Sequence, residues 1–347
     1  MDQEDGGENR LTTAELKGAW RPMPSVRDLT LSDQDLERAC PLSTHRRRKR
    51  AEHCLGRLDT LPLEILNMIL LHLDLRSCAS LQQTNRRGYD IIHEMPQLKA
   101  IIQHCPDTLR GIFSTEIAPF IELQQLLDKL TSPACESCND FAGYLYLLTC
   151  SRVCYRCFTQ LPNYLPVLRS QACRQFRFSR TGLKSLPHLK SVPGRYTGMR
   201  RSCRKRLTLM NAQTTQQNST IIQGDAASTT LSHDTLPPEQ RSVTHTQRSA
   251  QRAAEEGSRY SEARYTRAAP DALEHNHLRF MAIVEVPYLD LQNGRADWGF
   301  CCYACHNYFG KLKHSRRQFL MAGFREHVRQ CGEIVDDEHV GVMDVLS

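Results

Sequence analysis

The chain has 347 residues, of which 40% are hydrophobic and 24% charged, with fifteen cysteines and a formal net charge of +7. At roughly 150 residues per domain this allows about two domains with tails, and no apolar run approaches the ~20 residues of a membrane helix. The acidic start Met1–Asp5 lacks the basic and apolar stretch of a secretory leader. The expected setting is therefore the nucleus, the cytoplasm or both. Reducing compartments disfavour disulfides, so clustered cysteines there point to metal or redox chemistry. The charge is regional: residues 166–206 hold twelve Lys/Arg and no Asp/Glu, and the rest of the chain is net acidic.

Residues 1–53 read as a disordered polar tail, ending in the basic run Arg46–Arg50. That run suits a nuclear-localisation or anion-binding patch, and equally a solvated stretch. Leu58, Leu61, Ile65, Leu66, Ile69, Leu70 and Leu73 then recur at three- and four-residue steps, which predicts an amphipathic helix over 58–75. Thr60 is its expected N-cap, and Pro62 is tolerated in the first turn. Shorter helices are predicted over 77–84 and 87–93. Three short helices cannot bury their apolar faces alone, so they need a partner or the segment that follows.

Residues 97–130 read as helices punctuated by Pro96, Pro106 and Pro119. Cys135-x2-Cys138 and Cys154-x2-Cys157 follow, fifteen residues apart, with a short strand or hairpin expected within 141–149. Two such knuckles supply four thiolates, a complete tetrahedral sphere for a structural Zn²⁺. Cys150 reads as a packed spare. A deaminase-type zinc site needs an upstream His-x-Glu, and none precedes Cys135. A RING-type pair of zincs needs eight ligands, more than this cluster holds.

Residues 199–275 are dominated by Thr, Gln, Ser, Asn and Ala, and read as a disordered linker. Order is expected to resume near His277. Residues 280–290 are strand-like, and Asn293-Gly294 marks a hairpin turn before Trp298–Cys302. Ser315-x-x-Gln318 matches a capping box opening a helix through Phe319, Phe324 and Val328. Cys302-x2-Cys305 and His327-x3-Cys331 then predict a second zinc unit over 276–335, with His327 and Cys331 on one helix face. Cys301, His306 and His314 read as bystanders. Residues 336–347 read as a tail.

Residues 58–92 carry Leu61-Pro62-x-Glu64-Ile65-Leu66, then Ile69-Leu70, Leu73, Leu81, Thr84 and Arg86. This pattern resembles an F-box and covers about a tenth of the chain. The resemblance implies a three-helix unit, here residues 54–98, that docks on the Skp-type adaptor of a cullin ubiquitin ligase. By the same resemblance, Leu61, Pro62, Ile65, Leu66, Ile69 and Leu70 are the candidate adaptor-binding residues, divided between adaptor and internal packing. The rest is similar to filamentous-fungal F-box proteins, through Cys135, Cys138, Arg152-Val153-Cys154, Cys157, Leu186-Pro187 and Pro193-Gly194-x-Tyr196. No repeat array of the usual substrate-reading kind is present.

The expected fold is mainly α with small zinc-bound β hairpins. It comprises the F-box, a helical region with the first zinc hairpin over 99–198, the linker and the distal Cys/His unit. The expected function is that of a non-catalytic substrate receptor holding an unidentified protein target. A zinc-dependent nucleic-acid-binding protein is the alternative, resting on the two Cys/His clusters and the basic segment, Arg200 to Arg206 included. No catalytic triad, phosphate-binding glycine loop or paired carboxylates point to an enzyme.

Overall fold

A computed structural model of the chain describes residues 19–20, 30–31, 33–40, 55–176, 183, 185–196, 202–218, 276–302, 304–305, 316–335 and 338–341. The basic run 46–50, His306, His314, Ser315 and most of the 199–275 segment lie outside them.

The described part of the first 53 residues is more structured than its polarity suggests. Strand β1 (Ala19–Trp20) pairs with a strand near the C-terminus. Helix α1 (Asp33–Ala39) packs on a helix beyond residue 100, and Leu31 and Leu36 enter the main core. A helix of seven residues with so few apolar anchors has no legible period.

A 3₁₀ turn, Gly56–Thr60, precedes α2 (Leu63–Leu71), α3 (Leu75–Thr84) and α4 (Arg86–Glu94). The predicted single helix over 58–75 is thus shorter. Thr60 does not cap it, because its hydroxyl donates back to the Arg57 carbonyl, and Pro62 occupies the N-cap position. Asp74 caps α3 by accepting from the Ser77 N–H at 2.9 Å, and Asn85 caps α4 by accepting from Gly88 N–H at 2.8 Å. Each cap satisfies a backbone donor that the first helical turn leaves orphaned.

Next come α5 (Pro96–His104), α6 (Pro106–Ser114) and α7 (Leu123–Leu130), the first two opened by a proline at the first helical position. The chain between α6 and α7 is tied to the α2–α3 corner. Leu75 N–H donates to Ile121 O and Leu123 N–H to Leu73 O, each at 3.0 Å. The segment following the three short helices thus supplies part of the cover they need.

The β structure comes in small antiparallel sheets. β2 (Tyr144–Tyr146) pairs with β3 (Ser151–Val153), which leads into α8 (Tyr155–Gln160). β4 (Pro166–Leu168), followed by α9 (Arg169–Gln175), and β5 (His188–Lys190) flank β6 (Thr208–Asn211). Residues 208–211 therefore depart from the expected linker: Leu209 and Met210 are fully buried, enough apolar cover to order the strand.

Beyond residue 275, α10 (His277–Phe280) leads into β7 (Ile283–Glu285), which pairs with the other edge of β2. Leu145 faces Arg152 on one side and Val284 on the other. The C-terminal segment is thus built into the sheet of the first cysteine hairpin. β8 (Tyr288–Asp290) and β9 (Arg295–Asp297) form a hairpin at Asn293-Gly294, where Gly294 has φ +60°. The strand-like 280–290 stretch is split between the end of α10, β7 and β8, and the expected partner strand Trp298–Cys302 falls after this hairpin.

β10 (Phe300–Cys302) pairs with β1 and with β11 (Gln318–Phe319), and α11 (Met321–Cys331) follows. The expected helix through Phe319 starts later. Phe319 is held opposite Phe300 in the sheet, and Leu320 is the N-cap without a side-chain bond. The chain ends its described course in the hairpin β12 (Gly332–Val335) and β13 (Glu338–Gly341), within what reads from sequence as the finger's end and a tail.

One core runs from Leu31 to Leu289, the distal unit has its own in Cys302, Ala304, Cys305, Phe319 and Phe324, and Val167, Ala172, Leu183 and Met210 form a third small cluster. Gly299 sits where the two units meet, with φ +71°, and a Cβ there would come 2.6 Å from Phe141 Cε1. Gly299→Ala is expected to cost about 1–3 kcal/mol through strain at that φ and this clash. Urea unfolding checks it.

Candidate functional site

The four cysteines of the first cluster converge. Cys135 and Cys138 lie in a tight turn after α7, closed by Asn139 N–H donating to Cys135 O at 2.9 Å. Asn139 takes φ +63°, a conformation asparagine tolerates better than most residues. Cys154 follows β3 at the N-cap position of α8, whose first turn carries Cys157. The four sulfurs all lie within 4.8 Å of one another, with Cys138 Sγ 3.6 Å from Cys154 Sγ. A tetrahedral zinc with Zn–S near 2.3 Å separates its sulfurs by roughly 3.8 Å, so the spacing fits that metal. Cys154 N–H also donates to Cys135 Sγ at 3.3 Å. The Cys154 thiol, hydrogen-bonded to Cys135, is the largest influence holding the Cys135 thiol below its ordinary range, towards the thiolate that zinc binds. Cys150 is buried apart from this group, as a packed spare.

Arg152 braces the hairpin from below. It is 1% exposed and lies at the centre of a ring of backbone carbonyls. Its Nε donates to Ala142 O at 2.8 Å. Its Nη1 reaches Lys129 O at 3.0 Å, Leu130 O at 3.4 Å and Pro287 O at 3.0 Å. These carbonyls belong to the C-terminus of α7, the approach to β2 and the chain after β7. Burial among them lowers the guanidinium to about 10.

The second cluster differs from its sequence reading in one ligand. Cys302, Cys305 and His327 come together as expected, but the fourth donor is His339 on β13. His339 Nε2 lies 3.2 Å from Cys302 Sγ and 3.3 Å from Cys305 Sγ, and His327 Nε2 lies 3.4 Å from Cys305 Sγ. These are close to the sulfur–nitrogen edges, roughly 3.5 Å, of a tetrahedral Cys₂His₂ zinc site. Cys331 falls outside the group because it faces the other ring nitrogen, His327 Nδ1, at 3.4 Å. The i,i+4 spacing places His327 and Cys331 on one face, but here the Cys331 sulfur meets the ring nitrogen of His327 that points away from the cluster. The signal that was available for His339 is the β-branched pair Ile334-Val335 followed by His339-Val340, a short hairpin pattern.

The two clusters are held side by side. Arg317 Nη2 is 2.8 Å from Asp140 Oδ1 in the first knuckle, and the Arg316 guanidinium lies 4.8 Å from the Tyr155 ring. Because both donor sets must lose protons to bind a metal, uptake is expected to weaken as pH falls. Chelator competition at pH 6 and pH 7.5 checks this, with weaker binding expected at pH 6.

The third feature is α2, which is apolar on more than one face. Leu66 and Leu70, four apart, are 3% and 1% exposed and belong to the core. Of the six candidates expected to divide between adaptor and internal packing, these two pack internally. Ile65 and Ile69 remain 44% and 42% exposed, Pro62 is exposed and Leu61 half-buried. Leu63 and Met68, not singled out from sequence, are 54% and 60% exposed. A helix with this much uncovered apolar surface marks an interaction face.

Residues 58–98, which span α2, α3, α4 and the start of α5, match the family model of the F-box domain. Residues 58–98 of this chain form an F-box domain. The F-box is the adaptor-binding module of ubiquitin ligase complexes. No curated protein and no solved structure matches the chain. Among the described residues, no helix is long and apolar enough to cross a membrane.

Two cations of the basic segment share one carboxylate. Arg206 Nη1 lies 2.9 Å from Glu116 and Lys190 Nζ lies 2.7 Å from the same carboxylate. These two of the segment's twelve cations are paired within the fold while their side chains stay partly exposed.

Proposed function

We propose that this chain is a non-catalytic substrate receptor of a cullin ubiquitin ligase. α2 docks on a Skp-type adaptor, and the body built around the two Cys/His clusters holds a protein target. Ubiquitin transfer is then performed by other subunits, and this chain contributes proximity and orientation. The observation that carries the reading is the exposed apolar set Leu63, Ile65, Met68 and Ile69, inside the segment that matches the F-box. Mixing the purified chain with a Skp-type adaptor and separating by size tests it. A stable one-to-one complex is expected, and separate elution contradicts it.

The two clusters hold structural zinc in this reading. Each offers four protein donors, leaving no open position for a substrate or an activated water. Elemental analysis is expected to return two zinc ions per chain.

A further inference from the structure

The second cluster has five donor-bearing side chains for four positions, and the way α11 ends sorts them. The last residue of α11, Cys331, faces His327 Nδ1. The next residue, Gly332, turns its carbonyl onto His339 Nδ1 at 2.9 Å. A carbonyl only accepts, so His339 Nδ1 carries the proton and Nε2 keeps its lone pair for the cluster. His327 has the same polarity once Nε2 binds metal: the neutral ring then holds its proton on Nδ1, and the Cys331 sulfur accepts it.

We propose that the Cys331-Gly332 step is a positioning platform that orients both imidazoles of the Cys302–Cys305–His327–His339 centre, with Cys331 a positioning residue and not a ligand. Metal-binding histidines are commonly fixed this way, through a hydrogen bond from the ring nitrogen opposite the metal. Three further observations agree. Cys331 is 5% exposed, so its sulfur lacks a competing solvent partner. The His327 ring is also stacked on Phe319, centroids 4.5 Å apart, so its remaining freedom is the rotation that the Cys331 contact stops. Gly332 has φ +95°, a backbone conformation that side chains disfavour, and this turn starts β12 and points its carbonyl at His339.

The inference rests on the zinc reading, not on adaptor binding. The experiment is cobalt(II) loading of the full chain, with zinc competition, in wild type, Cys331→Ala, Cys331→Ser and His339→Ala. The sulfur-to-cobalt charge-transfer band scales with the number of bound thiolates. Cys331→Ala is expected to keep two metals and an unchanged band, with affinity at the weaker-bound centre reduced about 10–100-fold. Cys331→Ser, whose hydroxyl still accepts the Nδ1 proton, is expected to recover most of that loss. His339→Ala is expected to lose the second metal.

A band that falls in Cys331→Ala, or a His339→Ala chain that keeps its second metal, would make Cys331 a ligand and overturn the proposal. Wild-type affinity in Cys331→Ala would overturn it too. If Cys331→Ala does not fold, Cys331→Ser carries the test: loss of its second metal contradicts the platform. A wild-type chain that binds no metal refutes the zinc reading itself, which separates the two failures.

Discussion

Cys154→Ser is expected to release one zinc and unfold the region around the first cysteine hairpin. Cys154 meets Cys138 through its sulfur, donates its N–H to Cys135 and stands at the N-cap position of α8. The substitution removes a metal ligand at the junction of β3 and α8, so losing the metal loosens the strand end and the helix start that the site ties together. Structural zinc contributes an apparent ~10–16 kcal/mol in small finger peptides, whereas whole domains are stable by only ~5–15 kcal/mol. Tyr155 and Phe158 of α8, Leu145 of β2 and Val284 of β7 share the main core. Loss of the hairpin should thus also release the strand that returns from beyond residue 275. Elemental analysis should fall from two zincs to one, and thermal melting should lose its main cooperative transition. An unchanged melt would show that this hairpin is held by packing alone.

Arg152→Ala should destabilise the same region without touching a ligand. The substitution leaves the carbonyls of Lys129, Leu130, Ala142 and Pro287 without their shared donor in a buried position. An unsatisfied buried polar group costs about 1–3 kcal/mol. Water entering the space left by the side chain recovers part of this, so a net loss of about 4 kcal/mol is expected. Zinc content should remain at two per chain. Denaturant unfolding with parallel metal analysis separates this outcome from ligand loss. A variant as stable as wild type would show the guanidinium to be dispensable.

What was legible in the sequence was what is local. The Leu-Pro-x-Glu-Ile-Leu run, the two Cys-x2-Cys knuckles and the Asn293-Gly294 turn each carry their geometry within a few residues. Burial could not be read so directly. On α2 the apolar residues occupy both faces, so periodicity could not separate buried Leu66 and Leu70 from exposed Leu63 and Met68. That division depends on α7, which packs against α2 from over fifty residues away. Long-range strand pairing was equally silent: β7 lies more than 130 residues from β2, and β1 some 280 from β10. Nothing in Ile283–Glu285 names its partner strand. The capping-box reading of Ser315 to Gln318 failed for a related reason, since pairing with β10 takes Gln318 and Phe319 before a helix can. His339 was missed because a lone histidine beyond the last cysteine has no spacing rule, and it becomes a donor only when β12 and β13 pair.

The central claim is that the exposed face of α2 is the adaptor-docking surface. It is tested most directly by calorimetric titration of a Skp-type adaptor into wild type and an Ile65→Asp, Met68→Asp double variant. Both positions are exposed, so the variant should melt within a few degrees of wild type. Buried anchors of an interface each contribute about 2 kcal/mol or more, so even one of the two being such an anchor should lower affinity by at least ~30-fold. Equal affinity in the two proteins, or no binding by a folded, zinc-loaded wild type, would contradict the assignment of α2 as the docking face.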